Sequence, residues 1–452
     1  MKSWRDSLEV YLDRRVIAVF VLGFSSGLPL LLVFSTLSLW LKDEGISKTV
    51  IGLFALVRTP YTFKFLWAPL IDRLPLPVLT RLLGRRRGWV VTTQVALMAS
   101  ILGLASTTPS MTPELTALFA LLVAFCSASQ DIVIDAYRIE ILEENQQGAG
   151  AAMIVNGYRI GMLVAGAGAI SLADFLTWTD VYRIMAAMVL VGLVTILLCR
   201  EPEERKTLGL EADAERVASF VARASWLPER VSDVAGWFYG AVVCPFAEFM
   251  KRDGWIFILL FIMLYKMGDA YLGVMANPFY VEMGFSKQEI AFVSKLFGLG
   301  ATIVGSLVGG VIVFRYGIRR ALLICGILMA ASNLVFAVQA MVGHSVPMLM
   351  VTIAVENLTG GMGTTALVAY LSSLCNVAYT ATQYALLSSF MAFARDVLSA
   401  SSGWVADHVD WVTFFIISTG LAMPGLLLLL WMMRRFPAET VATEPAAPEA
   451  AE

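Results

Sequence analysis

Asp131 and Asp135 stand four residues apart in Gln130-Asp-Ile-Val-Ile-Asp135, inside an otherwise apolar run. On a helix that spacing puts both carboxylates on one face. Two carboxylates on one face repel, and a proton bound to one of them relieves the repulsion, so the pair is a candidate proton carrier. For Asp135 an ion pair closing a gate is the other reading. Further charges interrupt other apolar runs: the cations Arg58, Lys64, Arg159, Arg183, Lys266, Lys295 and Arg395, and the acids Asp269, Glu356 and Asp396. A charge at the centre of a membrane-spanning helix costs about 2.5–3.5 kcal/mol even on the lenient insertion scale. Any one of these could be a packing pair between helices. Together they call for a wet cavity or for one another.

Depth along the runs suggests the groupings. Tyr158 and Arg159 come to the level of Gln130, Asp131 and Asp135, which predicts an Asp131/Asp135–Arg159 cluster. Lys266 and Asp269 are three apart, beside Tyr265, and can pair locally. Glu356-Asn357 and Arg395-Asp396 fall at similar depth in two other runs. This makes Asp131, Asp135, Asp269 and Glu356 the proton-coupling candidates. Lys64, Gln130, Tyr158, Arg159, Tyr265, Lys266, Asn357 and Arg395 are the substrate-binding candidates, with the cations suited to substrate carboxylates.

Several chemistries are excluded. The five cysteines are scattered and the two histidines, His344 and His408, are far apart, so no metal or disulfide framework is expected. No phosphate-binding loop and no HExxH occurs, and Gly23-Phe-Ser25-Ser-Gly27, which matches GxSxG, lies inside an apolar run of spanning length, so no enzyme and no cofactor are expected. A net charge of −2 without a basic patch argues against nucleic acid.

The elements that must hold these residues are membrane spans. The chain is 58% hydrophobic and only 15% charged, with a mean hydropathy of +0.75. Soluble domains carry about 25% charged residues, so lipid must be the solvent. The first apolar run, Val16 to Leu41, is too long for a signal peptide and reads as a span. Apolar runs of spanning length fall near 16–41, 48–70, 89–108, 115–137, 150–172, 181–199, 255–281, 288–313, 320–341, 348–372, 381–402 and 411–433. The expectation is an all-α polytopic membrane protein of twelve transmembrane helices in two six-helix, pseudo-symmetric bundles. Residues 1–199 form one bundle and 254–435 the other, with a hydrophilic connector at 200–253 and a disordered Ala/Glu/Pro tail at 436–452.

Lys and Arg crowd the loops on one side, whereas the other side holds only Lys42, Lys48 and Lys287. That bias puts both termini in the cytoplasm. The apolar stretch 234–250 would reverse the second half if it crossed, so it reads as an interfacial helix. Gly45-Ile-Ser-Lys-Thr-Val-Ile-Gly and Gly284-Phe-Ser-Lys-Gln-Glu-Ile-Ala open the second and eighth spans alike. Arg85, Arg86 and Arg87 after the second span have a counterpart in Arg315, Arg319 and Arg320 after the eighth. Repeated halves of this kind build alternating access around a midplane site.

Five motifs carry a resemblance: Gly23-Phe-Ser-Ser-Gly-Leu-Pro29, Phe63-Lys-Phe-Leu-Trp-Ala-Pro-Leu-Ile-Asp72-Arg73, Gly84-Arg-Arg-Arg-Gly-Trp89, Phe125-Cys-Ser-Ala-Ser-Gln-Asp-Ile-Val-Ile-Asp135, and Gly148-Ala-Gly-Ala-Ala152 followed by Gly157-Tyr-Arg159. In this order they resemble the AmpG-type muropeptide permeases of the major facilitator superfamily, over the whole chain and most densely in its first half. The resemblance implies a bacterial inner-membrane importer of N-acetylglucosaminyl-1,6-anhydro-N-acetylmuramyl peptides, driven by protons. It further implies a role in peptidoglycan recycling that in some bacteria feeds β-lactamase induction. Asp72, Arg73 and Arg85–Arg87 resemble the superfamily's gating loop, with Ala68-Pro69 where glycine is usual and no aspartate in the copy at Arg315. A monomer is expected, with substrate, protons and lipid as its partners. The alternatives are a carrier of another anion such as acetyl-coenzyme A, or a non-transporting sensor on a transporter scaffold.

Overall fold

The computed structural model describes residues 4–203, 209–223 and 228–436; the expected tail beyond Phe436 and the Lys295 side chain lie outside the described residues. Among the described residues every regular element is helical. Twelve rods run back and forth: α1 Arg14–Asp43, α2 over 48–73, α3 Arg85–Ala105, α4 Pro113–Ile141, α5 Glu144–Ala173, α6 Trp178–Leu198, α7 Trp255–Glu282, α8 Lys287–Tyr316, α9 Ile318–Val342, α10 Val346–Ser373, α11 Thr380–Ser399 and α12 Trp411–Arg435. Nine of these are long and apolar enough to cross a membrane. The other three are α2, broken into short helical pieces where Pro60 and Pro69 restart the backbone, and α10 and α11, which carry polar residues along their length.

Within the first half α1 packs on α5, and α3 on α4 and α6; within the second, α8 and α9 pack on α10, and α12 on α7 and α9. Small residues make the tightest of these crossings. A Cβ at Gly27 would stand 2.1 Å from the Tyr158 carbonyl oxygen, and one at Gly157 would stand 2.0 Å from that of Phe20. In lipid, where apolar burial offers little between helices, such backbone approach is what selects partners. The GxxxG of α1 is therefore a packing surface facing its counterpart, Gly157 and Gly161, on α5.

The halves meet along α5 against α8 and α10, and along α2 and α4 against α11. Where α5 crosses α8, a Cβ at Gly148 would be 2.7 Å from Val313 Cγ1 and 3.0 Å from the Gly310 oxygen. This crossing lies at the end of the molecule that carries the described N-terminus and the end of α12, as Tyr11 donates to the Leu307 oxygen at 2.8 Å and Arg319 donates to the Phe436 oxygen. The connector forms one helix at Gly209–Arg223 and another from Glu229 to Met250, packed on each other through Phe220 and Tyr239, whose ring centres are 4.4 Å apart. The second helix lies across the end of α2 and the start of α11: Gln383 donates to the Pro245 oxygen at 3.1 Å and to Glu248 at 2.5 Å.

Candidate functional site

Two groups of charged side chains face the boundary between the halves. In the first, Asp131 of α4 is buried and accepts a hydrogen bond from the Ser26 hydroxyl of α1. The nearby charges acting on it are Lys64 of α2 and Asp135, one turn along α4. Asp135 in turn faces Lys64 and Arg138, whose Nη2 lies 3.5 Å from its carboxylate. Gln130 is fully buried and donates to the Ser25 oxygen at 2.9 Å, so it ties α4 to α1. Trp67 donates to Ser129 at 3.0 Å, which fixes the broken α2 against α4 and sets Lys64 beside the two aspartates.

In the second group Lys266 of α7 pairs with Asp269 at 3.0 Å and donates to the Thr364 hydroxyl of α10 at 2.8 Å. Glu356 of α10 feels Asp269, Lys266 and, from the opposite half, Arg159 of α5. Arg159 is exposed although it sits midway along a spanning helix.

These placements alter the groupings drawn from depth. Lys64, not Arg159, is the cation beside Asp131 and Asp135; Arg159 turns to the other half, and Tyr158 beside it is half-buried between the two groups. Asn357 is consumed in positioning: its oxygen accepts from Thr302 at 2.8 Å, and its amide donates to the Ile353 oxygen at 3.1 Å and to Glu356 at 2.5 Å. Tyr265 is buried inside the second half, packs on Phe261 and donates to the Leu322 oxygen at 3.0 Å. Arg395 is 55% exposed and pairs with its own neighbour Asp396 at 3.1 Å, away from the charges that act on Glu356.

The basic loop after α2 divides its labour. The Arg86 side chain, 1% exposed, joins two acids, Asp72 at 2.8 Å and Glu140 of α4 at 2.5 Å, while the backbone N–H groups of Arg86 and Arg87 donate to Glu201 at 2.7 and 2.9 Å. Asp72 also accepts from the second half, taking the backbone N–H of Ala381 at 3.2 Å, that of Thr382 at 2.7 Å and the Thr382 hydroxyl at 2.6 Å. The first turn of α11 presents unpaired N–H groups and a partial positive charge, so a buried carboxylate is the natural cap. Arg85 donates to the Asp72 carbonyl oxygen at 2.5 Å, and Arg87 to the Ile196 and Leu197 oxygens at 3.1 and 2.8 Å, all within the first half. Arg73 crosses to the second half through the Tyr379 ring, 5.7 Å away. After α8, Arg319 caps the end of α12, Arg315 lies beside the Tyr316 ring and Arg320 is exposed. A cavity of about 1090 Å³ opens at this same end, lined by Gly148, Val313, Arg319, Arg320, Tyr370 and Phe436; none of the midplane charges reaches it.

Glu140 and the Asn156–Ser306 hydrogen bond between α5 and α8 are contacts that sequence reasoning did not single out. Glu140 follows Asp131 by nine residues and Asp135 by five, so it lies on the opposite side of α4 from the aspartates, and their face gives no sign of it. Nothing in the local pattern marks Asn156. The described hydrogen bonds between the halves run from Asn156–Ser306 to Asp72–Thr382, so the boundary is closed at the end that carries the described termini.

Comparison with known proteins places this arrangement. The family described as Major Facilitator Superfamily matches residues 16–277 and 258–451. The chain is similar to a protein of Escherichia coli K12 named anhydromuropeptide permease, 40% identical over 94% of this chain and 80% of that protein. It is similar to a Rickettsia felis protein named putative transporter AmpG 4, 36% identical over 94% of this chain and 98% of that one. Among solved structures, the proton:xylose symporter XylE covers 95% of both chains at a TM-score of 0.62 and 12% identity. The transporter FucP, in its outward conformation, covers 92% of this chain and 97% of its own at a TM-score of 0.63 and 11% identity.

Proposed function

Since the chain belongs to the major facilitator superfamily, we propose that it is a bacterial inner-membrane carrier that imports anhydromuropeptides for peptidoglycan recycling, coupled to protons. What carries the reading is the pair of charge groups, Lys64–Asp131–Asp135 and Arg159–Glu356–Lys266–Asp269, which face one another across two halves latched at one end only among the described hydrogen bonds. A sensor on a transporter scaffold has no need for an exposed arginine between its halves. The loop bias in Lys and Arg makes the latched end cytoplasmic and the conformation outward-facing. The connector helix from Glu229 to Met250 then rests at the cytoplasmic interface, with the exposed Val231, Val234 and Phe238 toward lipid. A single chain contains both charge groups, so a monomer suffices.

The chemistry follows from competition for cations. Lys64 serves Asp131 and Asp135 while they are ionised. A proton arriving from outside neutralises Asp131, whose other partner is the Ser26 hydroxyl, and Lys64 is left to hold a substrate carboxylate. Arg159 supplies a planar, two-pronged donor to the same class of group. When the proton leaves inward, Asp131 reclaims Lys64 and displaces the substrate. Each ligand thus favours one state by what it offers the same cations, as coupling requires.

The direct test is uptake of labelled anhydromuropeptide into proteoliposomes with and without an imposed inward proton gradient. Accumulation above equilibrium only with the gradient is expected. Equal, merely equilibrating uptake in both would remove the proton from the scheme, and no uptake would remove the substrate.

A further inference from the structure

Two arginines are sealed into the latched end, and their surroundings differ. Arg86 has two carboxylates within 2.8 Å. Arg138, on the last turn of α4, is 0% exposed; its carboxylate partner is Asp135 at 3.5 Å, its other neighbour is the Tyr384 side chain, and among the described residues its Nε and Nη1 find no hydrogen-bond partner. A good arginine–carboxylate bond is about 2.7–2.9 Å, usually doubled. Burying a cation without a close carboxylate is costly, and a side chain serving only as a brace would be charge-paired as Arg86 is, where two carboxylates leave only Nη1 without a hydrogen-bond partner among the described residues.

Position supplies the rest. Arg138 follows Asp131 by seven residues and Asp135 by three, so all three lie on one face of α4, in a column running from the midplane to the latch. What covers the guanidinium is the ring of Tyr384, 5.4 Å away, and Tyr384 belongs to α11 in the opposite half. When the halves part at this end the ring departs with α11, and Arg138 is left facing the newly opened space with its donors free. Lys64, acting on both aspartates, stands at the other end of the same column.

We propose that Arg138 is a substrate-binding residue of the inward-open state, which takes the peptide carboxylate of the substrate on its way from Lys64 and Arg159 to the cytoplasm. The proposal rests on the reading of the chain as an importer of carboxylate-bearing substrates. Its unmet donors are then a site whose ligand arrives only in the other conformation. Closure is helped in turn, because an empty Arg138 recovers the Tyr384 ring and Asp135.

The test reads affinity from each face separately. Labelled anhydromuropeptide is bound to the full-length protein in right-side-out and in inverted vesicles, for wild type, Arg138→Lys and Arg138→Gln. Loss of the two-pronged donor in Arg138→Lys should weaken binding at the cytoplasmic face about tenfold, with binding at the outer face changed less than about twofold. An analogue with its peptide carboxylates amidated should bind more weakly at the outer face of wild type and Arg138→Lys alike, through Lys64 and Arg159, but at the cytoplasmic face the two proteins should bind it equally, because the group that Arg138 holds is gone; this comparison keeps the idea testable should Arg138→Gln fail to accumulate. Unchanged cytoplasmic affinity in Arg138→Lys, or an equal loss at both faces, overturns the proposal and makes Arg138 a brace. A wild-type protein that binds no anhydromuropeptide from either face refutes the importer reading instead.

Discussion

The latch between the halves can be loosened by one atom exchange. Asp72 is 2% exposed and accepts four hydrogen bonds, three of them from Ala381 and Thr382 at the start of α11 and one from Arg86. Asp72→Asn keeps the shape and one acceptor oxygen, but it removes the negative charge at the helix N-terminus and turns an NH₂ group toward a donor. Hydrogen bonds to a charged group contribute about 1.5–3 kcal/mol each. With one acceptor surviving, the closed state should lose about 2–3 kcal/mol, a shift of roughly 30- to 150-fold toward the state open at this end. Arg86 keeps Glu140 at 2.5 Å, so the buried guanidinium is not stranded and the fold should survive. Spin labels at Leu82 and Arg320, exposed positions on the two halves at this end, report the change as a longer distance by pulsed electron paramagnetic resonance. Glu140→Gln serves as the control, since it weakens a contact inside the first half and should leave that distance unaltered. A distance distribution in Asp72→Asn identical to wild type would refute the assignment of Asp72 as the closing element.

Other outcomes follow from the same geometry. Asp131→Asn should abolish proton-driven accumulation while leaving substrate exchange across the membrane intact; driven uptake at the wild-type rate would acquit Asp131. Arg159→Lys preserves the charge facing Glu356 but loses the fork, and should weaken outer-face substrate binding about tenfold. Gly157→Val places side-chain carbon against the Phe20 carbonyl, so a loss of at least about 1–3 kcal/mol is expected, seen as a lower melting temperature in detergent. In a background without the five native cysteines, cysteine at Leu82 or Arg320 should react with impermeant thiol reagent only in inverted vesicles, and cysteine at Lys48 or Lys287 only in intact cells stripped of their outer envelope. Labelling of position 320 from outside would force the connector across the bilayer.

Much of this molecule is written in local spacing. Apolar run lengths mark the helices because the hydrocarbon core has one thickness and a helix one rise. The three- and four-residue intervals put Asp131 with Asp135 and Lys266 with Asp269, because a helix face is a property of the chain itself. The small residues of α1 announce a close crossing for the same reason. The partners across helices were another matter. Depth put Arg159 beside Asp131, yet Lys64 takes that place, since the prolines of α2 break it into short pieces and Trp67 ties them to α4. The tight α1–α5 contact packs one face of α5 into its own half, and Arg159, on another, points to Glu356. Asp72 reads in sequence as part of a basic loop; only the seating of one half on the other makes it the cap of α11, some 310 residues away. Rotation of a helix about its axis and the docking of one bundle on another leave no periodic trace in the chain, and those two freedoms decide which charges meet.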